Sequence, residues 1–435
     1  MKSFSFIIAS GLWLGSGLLA SQAQNFGLDA QSTGRAGAVT AESESAYSAL
    51  FNPALLPTQS RPSFSFSTSQ TRVNYKSFSS VLLPRSQRRT DEPSYGDYQL
   101  PAVDQTRWSL GFTYPLPLKA LARKGGFGFA FSGPYEKLRG FAAHAPDDFF
   151  AVRYGAADSQ LKGTVSVGLE LIPETLFVGA GTSLSLSGAG TAETVISDNP
   201  TSRMNLDVAL ESSPVLGVYS RLGNSSLGLA YHEKINPRLE QAMNARIKLN
   251  GRDSFYQPLL MRSSLYFEPR SLECDFQHDF APVKVSAGVS YQFWTEYEAP
   301  VLFTETSDSQ GELRQTQGGK AAAQNTLNPR ASLTFAFNSL TTASLGYQYR
   351  PTPIKSAQQS SNAVDSDTHL LGLSLQHRFD QAWLLESPLT VGLFGQVHRM
   401  SNRQITQSGP NTERSRSFDF SGNAFVIGVS GKADL

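Results

Sequence analysis

Apolar and polar side chains alternate residue by residue along much of this chain. Val283, Val285, Ala287, Val289, Tyr291 and Phe293 are apolar, while Lys284, Ser286, Gly288, Ser290 and Gln292 between them are polar or small. The same period recurs at Val165, Val167, Leu169 and Leu171, at Leu176, Val178, Ala180, Leu184 and Leu186, and at Phe127, Phe129 and Phe131. It returns at Leu333, Phe335 and Phe337, at Leu345, Tyr347 and Tyr349, and at Leu371, Leu373, Leu375 and Phe379. Successive side chains of a strand point to opposite faces, so each stretch predicts a strand with one apolar face. A soluble sandwich alternates in the same way, and periodicity alone leaves that alternative open.

Connector lengths narrow the choice. Segmentation gives about fourteen strands, at 62–76, 104–115, 125–134, 160–171, 176–187, 203–220, 225–235, 257–277, 283–297, 327–337, 341–352, 368–379, 388–400 and 416–430. Long connections at 77–103, 135–159, 188–202, 236–256, 298–326, 353–367 and 401–415 alternate with short ones such as 172–175, 221–224, 278–282 and 338–340. An even strand count with short turns at one rim and long loops at the other predicts an all-β fold, an antiparallel transmembrane β-barrel. Closure also removes the exposed edges that so many strands would otherwise present.

The start of the chain agrees with export. Lys2 is followed by a largely apolar stretch from Phe4 to Ala20 and then by Ser21-Gln22-Ala23, a small-x-small site, which predicts a signal peptide over residues 1–23. An uncleaved anchor is the alternative. No cysteine follows the site, so no lipid anchor is expected, and the single Cys274 excludes an internal disulfide. Beyond residue 23 there is no apolar run of about 18 residues, hence no helical span. The expected location is the outer membrane of a Gram-negative bacterium.

Composition changes this picture little. The 37 basic and 36 acidic side chains cancel, so no strong field points to nucleic acid. Charged residues are only 17% of the chain, against about a quarter in soluble proteins. The mean hydropathy of −0.25 would suit a soluble protein, but alternating strands average out their own membrane signal.

Residues 24–60 do not alternate. They are rich in Gly, Ala and Ser and carry Asn52-Pro53, a turn dipeptide whose proline blocks a ladder hydrogen bond. The expectation is a hatch over 24–60 held inside a barrel over 61–435, since a fourteen-stranded lumen is wide enough for a plug. Asn52-Pro53 as an ordinary turn is the plainer alternative.

Several segments resemble one family. Asn25-Phe26-Gly27-Leu28, Thr33-Gly34-Arg35-Ala36-Gly37-Ala38 and Ala49-Leu50-Phe51-Asn52-Pro53-Ala54-Leu55 are similar to the N-terminal hatch of the FadL/TodX transporters, which has a G-R-A segment and an N-P-A motif before its first strand. Ser290-Tyr291-Gln292-Phe293-Trp294, Leu345-Gly346-Tyr347-Gln348-Tyr349-Arg350-Pro351-Thr352-Pro353 and Asp365-Ser366-Asp367-Thr368-His369-Leu370 resemble strand ends and starts of that family. The resemblance implies a fourteen-stranded barrel plugged by its hatch, capture of hydrophobic ligands at external loops, and passage through a pocket and a lateral wall opening. It assigns Gly34, Arg35, Ala36, Asn52, Pro53 and Ala54 to hatch structure and Phe26 to ligand contact. One departure is the C-terminus, where Lys432, Asp434 and Leu435 replace the usual terminal aromatic; Phe425, Ile427 and Val429 are expected to form the last strand, with the chain overshooting it.

Little else suggests chemistry. Phe141, Phe149 and Phe150 lie in a long loop and suit ligand docking, or simply loop packing. Arg153 and Arg350 are candidate carboxylate partners. Gly34 and Gly37 are no phosphate loop, because no strand precedes them and no Lys-Ser/Thr follows. The six histidines are scattered, and His369 and His377 would lie about 26 Å apart on one strand. No G-x-S-x-G elbow occurs. No metal, cofactor or enzymatic step is expected. The sequence thus reads as a monomeric outer-membrane channel for passive uptake of a hydrophobic ligand, a long-chain fatty acid or aromatic hydrocarbon, with membrane lipid around it. The alternatives are a structural porin or adhesin barrel without such a ligand, and an outer-membrane enzyme.

Overall fold

The computed structural model describes residues 26–42, 45–84, 87, 94–118, 123–135, 148–154, 161–196, 201–249, 252–264, 266–299, 303–307, 313–315, 321–355, 358–359, 362–380, 387–407 and 416–435. The expected signal peptide and Phe141 lie outside them.

Fourteen strands form one closed ring. In chain order they are β1 (Ser63–Tyr75), β2 (Val103–Leu118), β3 (Arg123–Pro134), β4 (Lys162–Ile172), β5 (Leu176–Ile196), β6 (Thr201–Leu222) and β7 (Ser225–His232). They continue as β8 (Arg270–Asp279), β9 (Val283–Phe293), β10 (Thr326–Ala336), β11 (Thr341–Arg350), β12 (Thr368–Phe379), β13 (Leu389–Gln407) and β14 (Arg416–Asp434). Each pairs antiparallel with the next. β14 returns to β1, with Ser63 opposite Asp434 and Tyr75 opposite Gly422. Every wall strand therefore has two neighbours, which is what a bilayer demands of backbone polar groups.

The two faces of the wall are inverted relative to a soluble protein. In β1, Phe64 and Phe66 point outward at 39% and 40% exposure, whereas Ser63, Ser65 and Ser67 point inward and are buried. Leu373, Leu393 and Ile427 likewise stand outside at 61%, 57% and 71% exposure. Such an apolar band far exceeds what a water-soluble surface tolerates and matches the outward face of a membrane barrel. Among the described residues no helix is long and apolar enough to cross a membrane.

Three features differ from the sequence expectations. The strand expected at 257–277 is two strands, because alternation runs through a break at Glu268, which bridges back to Ile235; Arg252–Ser264 stands above the rim and only Arg270–Asp279 is wall. The long connection expected at 188–202 is mostly strand. β5 and β6, of 21 and 22 residues, rise past the rim, and the strand Arg238–Leu249 pairs parallel with residues 188–196 there. Finally, the chain does not overshoot its last strand: Lys432 and Asp434 pair within β14, and the Leu435 N–H donates to the Pro62 carbonyl at 2.8 Å.

Candidate functional site

The N-terminal segment occupies the lumen. Helices α1 (Ala30–Gly34) and α2 (Ser48–Phe51) and a 3-10 turn (Pro53–Thr58) contact wall strands on opposite sides of the ring, from β2–β6 to β11–β14. Leu28, Val39, Tyr47, Leu50 and Phe51 give the segment a small core of its own, closed by Ala130 of the wall. Asp29 caps α1 by accepting from Ser32 N at 2.8 Å. Ala36 and Gly37, with φ of 52° and 81°, then reverse the chain.

Helices this short leave most of their carbonyls without an internal partner. Inward-facing serines of the wall donate to one such helix carbonyl and to carbonyls of the turns beside the helices. Ser109 donates to the Leu28 carbonyl at 2.8 Å, Ser166 to Ala49 at 2.7 Å and Ser226 to Ala41 at 3.2 Å. Inward-facing glycines give the room: a Cβ at Gly346 would lie 2.3 Å from the Arg35 carbonyl carbon, and one at Gly228 only 2.0 Å from the Thr40 oxygen. The small polar inner row is thus shaped to a polypeptide backbone.

The sequence-expected hatch residues all lie in this contact zone. Asn52 accepts from Ala54 N at 3.1 Å and donates to the Thr40 and Val218 carbonyls at 2.8 and 3.2 Å, joining two parts of the segment to β6. Pro53 starts the 3-10 turn, where its missing N–H is harmless, and its carbonyl faces Gly168. Ala54 is fully buried, and Gly34 lies against Ser374. Arg35, 2% exposed, pairs with Glu42, donates to Ser286, and donates to Gln277 at 2.7 Å and Ser332 at 3.3 Å.

A second buried arginine was not anticipated. Arg330 bonds Asp275 through two nitrogens at 2.8 and 2.9 Å, Glu273 at 2.9 Å and Thr40 at 3.0 Å, while Thr40 N donates to Asp275 at 2.8 Å. Together with Arg35 it ties the segment to β8–β10. The signal available in sequence was the inward parity of Glu273, Asp275, Gln277 and Arg330, charged or amide residues on the lumen row of their strands.

On the long-loop side the lining becomes apolar and aromatic. Phe26, Tyr75, Phe78, Tyr98, Phe149, Tyr154, Met400, Phe418 and Phe420 form one buried cluster. Phe26 lies 5.1 Å from the His398 ring and 5.8 Å from Tyr154, and Phe78 stacks on Phe418 at 4.9 Å. Of the expected ligand residues, the structure brings Phe26 and Phe149 together here. Phe150, one residue on, points to the other side into a separate cluster with Phe267, Trp294 and Ile354.

The arginines proposed as carboxylate partners have different surroundings. Arg153 is committed to the loops: it grips Asp365 at 3.1 and 2.9 Å and donates to the Ser366 carbonyl at 2.6 Å. Burial alone would lower its pKa, but the Asp365 carboxylate reverses this and holds the guanidinium charged. Arg350 donates to Gln348 at 2.8 Å and lies beside Tyr154 and Arg153.

A chain of hydrogen bonds connects loop, wall and segment. Tyr154 Oη bonds His398 Nδ1 at 3.0 Å, His398 Nε2 meets Gln396 Oε1 at 3.0 Å, and Gln396 Nε2 donates to the Thr33 carbonyl at 2.7 Å. A carbonyl only accepts, so the Gln396 amide must present its NH2 to Thr33 and its oxygen to His398. His398 therefore carries its proton on Nε2 and accepts from Tyr154. Thr33 in turn donates to the Phe26 carbonyl at 3.0 Å. Below the segment, toward the short turns, a vestibule of about 220 Å³ lies between Gln31, Arg35, Glu42, Lys284, Pro282 and Ala336.

No family model and no curated protein sequence matches the chain. Solved structures do match in fold. A Pseudomonas aeruginosa FadL homologue aligns with a TM-score of 0.59 at 13% identity, covering 94% of this chain and 98% of that one. The Pseudomonas putida toluene transporter TodX aligns at 0.52 and 12% identity, covering 94% and 99%, and its ΔS2S3 mutant, described as a monoaromatic hydrocarbon channel, at 0.54 and 12%, with the same coverage. A closed ring of fourteen antiparallel strands with an apolar outer band, aligned over nearly its whole length with these proteins, gives this chain the fold of the FadL/TodX family.

Proposed function

We propose that this protein is an outer-membrane channel of a Gram-negative bacterium through which hydrophobic molecules, foremost long-chain fatty acids, enter passively. In this reading residues 1–23 are removed on export and residues 24–60 act as the hatch. A ligand caught among the long loops settles in the aromatic cluster around Phe26, Phe149 and Tyr154, and moves on when the hatch shifts. The reading involves no chemical step and no cofactor. The observation that carries it is the position of Phe26: a residue of the plugging segment is itself part of the apolar lining, so a ligand that displaces its ring contacts also touches the element that blocks the way.

The polar edge of the cluster supports an acid over a plain hydrocarbon. Arg350 and His398 lie buried beside Tyr154, where a carboxylate could exchange with the phenol hydroxyl while its chain stays among the rings. The filled lumen argues against an open structural porin, and closure of the ring within one chain supports a monomer. The test is uptake of isotope-labelled oleate and toluene by liposomes carrying the purified barrel. Oleate entry well above that of empty liposomes, lowered by Phe26→Ala, is the expected result. Entry equal to that of empty liposomes for both compounds would refute the reading.

A further inference from the structure

We propose that the hairpin between β1 and β2 is a lid over the aromatic cluster, latched by Phe78, which lifts each time a ligand enters or leaves. The inference rests on the proposed ligand reading and adds the step that controls access to that site. The two strands of the hairpin, Phe78–Leu82 and Tyr95–Tyr98, pair antiparallel with each other and, among the described residues, with no strand of the wall. The hairpin is rooted on the ring where Lys76 N donates to the Ser421 carbonyl at 3.0 Å.

A β-bulge decides which face looks down. The register shifts between Phe78, opposite Tyr98, and Val81, opposite Gly96. Residues three apart on a regular strand point to opposite faces, and the bulge turns both side chains to the same one. Phe78, Val81 and Tyr98 are buried, while Ser79, Ser80 and Asp97 are exposed. The hairpin is thus apolar beneath and polar above, the pattern of a cover over an apolar site. The bulge holds Ser80 at a φ of 61°, a left-handed conformation that costs any residue with a side chain. The closed hairpin therefore depends on the contacts beneath it.

Those contacts converge on one ring. Phe78 stacks on Phe418 at 4.9 Å and on Tyr98 at 5.6 Å, and meets Phe149 at 5.4 Å and Phe420 at 6.2 Å edge-on. It joins the hairpin to the loop through Phe149 and to β14 through Phe418 and Phe420. A two-stranded hairpin is marginally stable by itself, so these rings hold it down. Ring contacts part without breaking a ladder hydrogen bond, and the lid can lift while the wall stays closed. Lifting Phe78 uncovers Phe149, Phe418 and Phe420 together, and an acyl chain can replace the ring it displaces.

The test is stopped-flow binding of cis-parinarate to the barrel held in amphipol, read by energy transfer from its tryptophans, alongside amide hydrogen exchange. A lid that opens and closes quickly gates entry and exit alike. For Phe78→Ala we expect association and dissociation both about tenfold faster, equivalent to roughly 1.4 kcal/mol in lid opening, with Kd changed less than about twofold. Exchange at residues 78–82 and 95–98 should quicken by the same factor, while the wall strands keep their protection. Phe78→Leu keeps an apolar latch and should fall between wild type and Phe78→Ala. Faster release with unchanged association would make Phe78 an ordinary lining residue and overturn the proposal. Faster hairpin exchange with both rates unchanged would place the hairpin off the ligand's path and overturn it equally. Wild-type barrel that binds no cis-parinarate would defeat the ligand reading and the lid with it, whereas binding at rates indifferent to Phe78 defeats the lid alone.

Discussion

The Gln396 side-chain amide donates to the Thr33 carbonyl at 2.7 Å, joining the barrel wall to the N-terminal segment seven residues from Phe26. Removing it leaves the Thr33 carbonyl with the Ala36 N–H at 3.2 Å, but strips the buried His398 Nε2–H of its acceptor and breaks the chain to Tyr154. For Gln396→Leu we expect a loss of about 1–3 kcal/mol at this contact. Amide hydrogen exchange at residues 30–35 should quicken at least about tenfold, while the wall strands exchange as before. Unchanged exchange in α1 would show that the bond does not hold the segment.

Gly217 and Asn52 form a second such contact, this one steric. A Cβ at 217 would lie 2.0 Å from Asn52 Oδ1. Gly217→Ala should therefore destabilise the barrel by about 1–3 kcal/mol in urea unfolding, the usual range for overpacking. Asn52→Ala relieves the clash, so the double variant should lose less than the sum of the single ones.

Arg330 is the keystone of the buried ion network. Arg330→Met leaves Asp275 and Glu273 buried without their cation, and a loss of about 3–5 kcal/mol is expected. Arg330→Lys keeps the charge but not the two-nitrogen grip on Asp275, and should fall between wild type and Arg330→Met in the same unfolding assay.

The Arg153–Asp365 pair is read here as a loop clasp and not as a ligand contact. Arg153→Ala should speed chymotryptic cleavage near Phe149 and Phe150 severalfold. Any change in ligand binding should be the same for oleate and for a hydrocarbon of equal length. A selective loss of oleate binding would make Arg153 a carboxylate partner after all.

How much of this was legible in sequence follows from the range of each interaction. Alternation in stretches such as Val283–Phe293 reports a strand and its two faces directly, because the pleat is local. The break between Arg252–Ser264 and Arg270–Asp279 was hidden, since the bridge from Glu268 to Ile235 that marks it spans 33 residues. Asn52 and Arg35 were found through resemblance, but their partners on β6, β8, β9 and β10 depend on register around the ring. For the same reason Glu273 and Asp275 read only as polar lumen positions until Arg330 was placed beside them. Phe149 and Phe150 looked equivalent in the loop. The short parallel pairing of Phe150–Ala151 with Ala363–Val364 sends their rings to opposite sides.

The central claim is that a hydrophobic ligand passes only when the Phe26-bearing segment moves. Cysteines at Ala30 and Gly392 would have Cβ atoms 2.5 Å apart, so about 1 Å of relaxation gives disulfide geometry between α1 and β13. In a Cys274→Ser background, oleate uptake by proteoliposomes should fall to about a tenth or less when this tether is oxidised, the loss of roughly 1.4 kcal/mol of accessible opening, and recover on reduction. Uptake that is equally fast in the oxidised and reduced states would contradict the account.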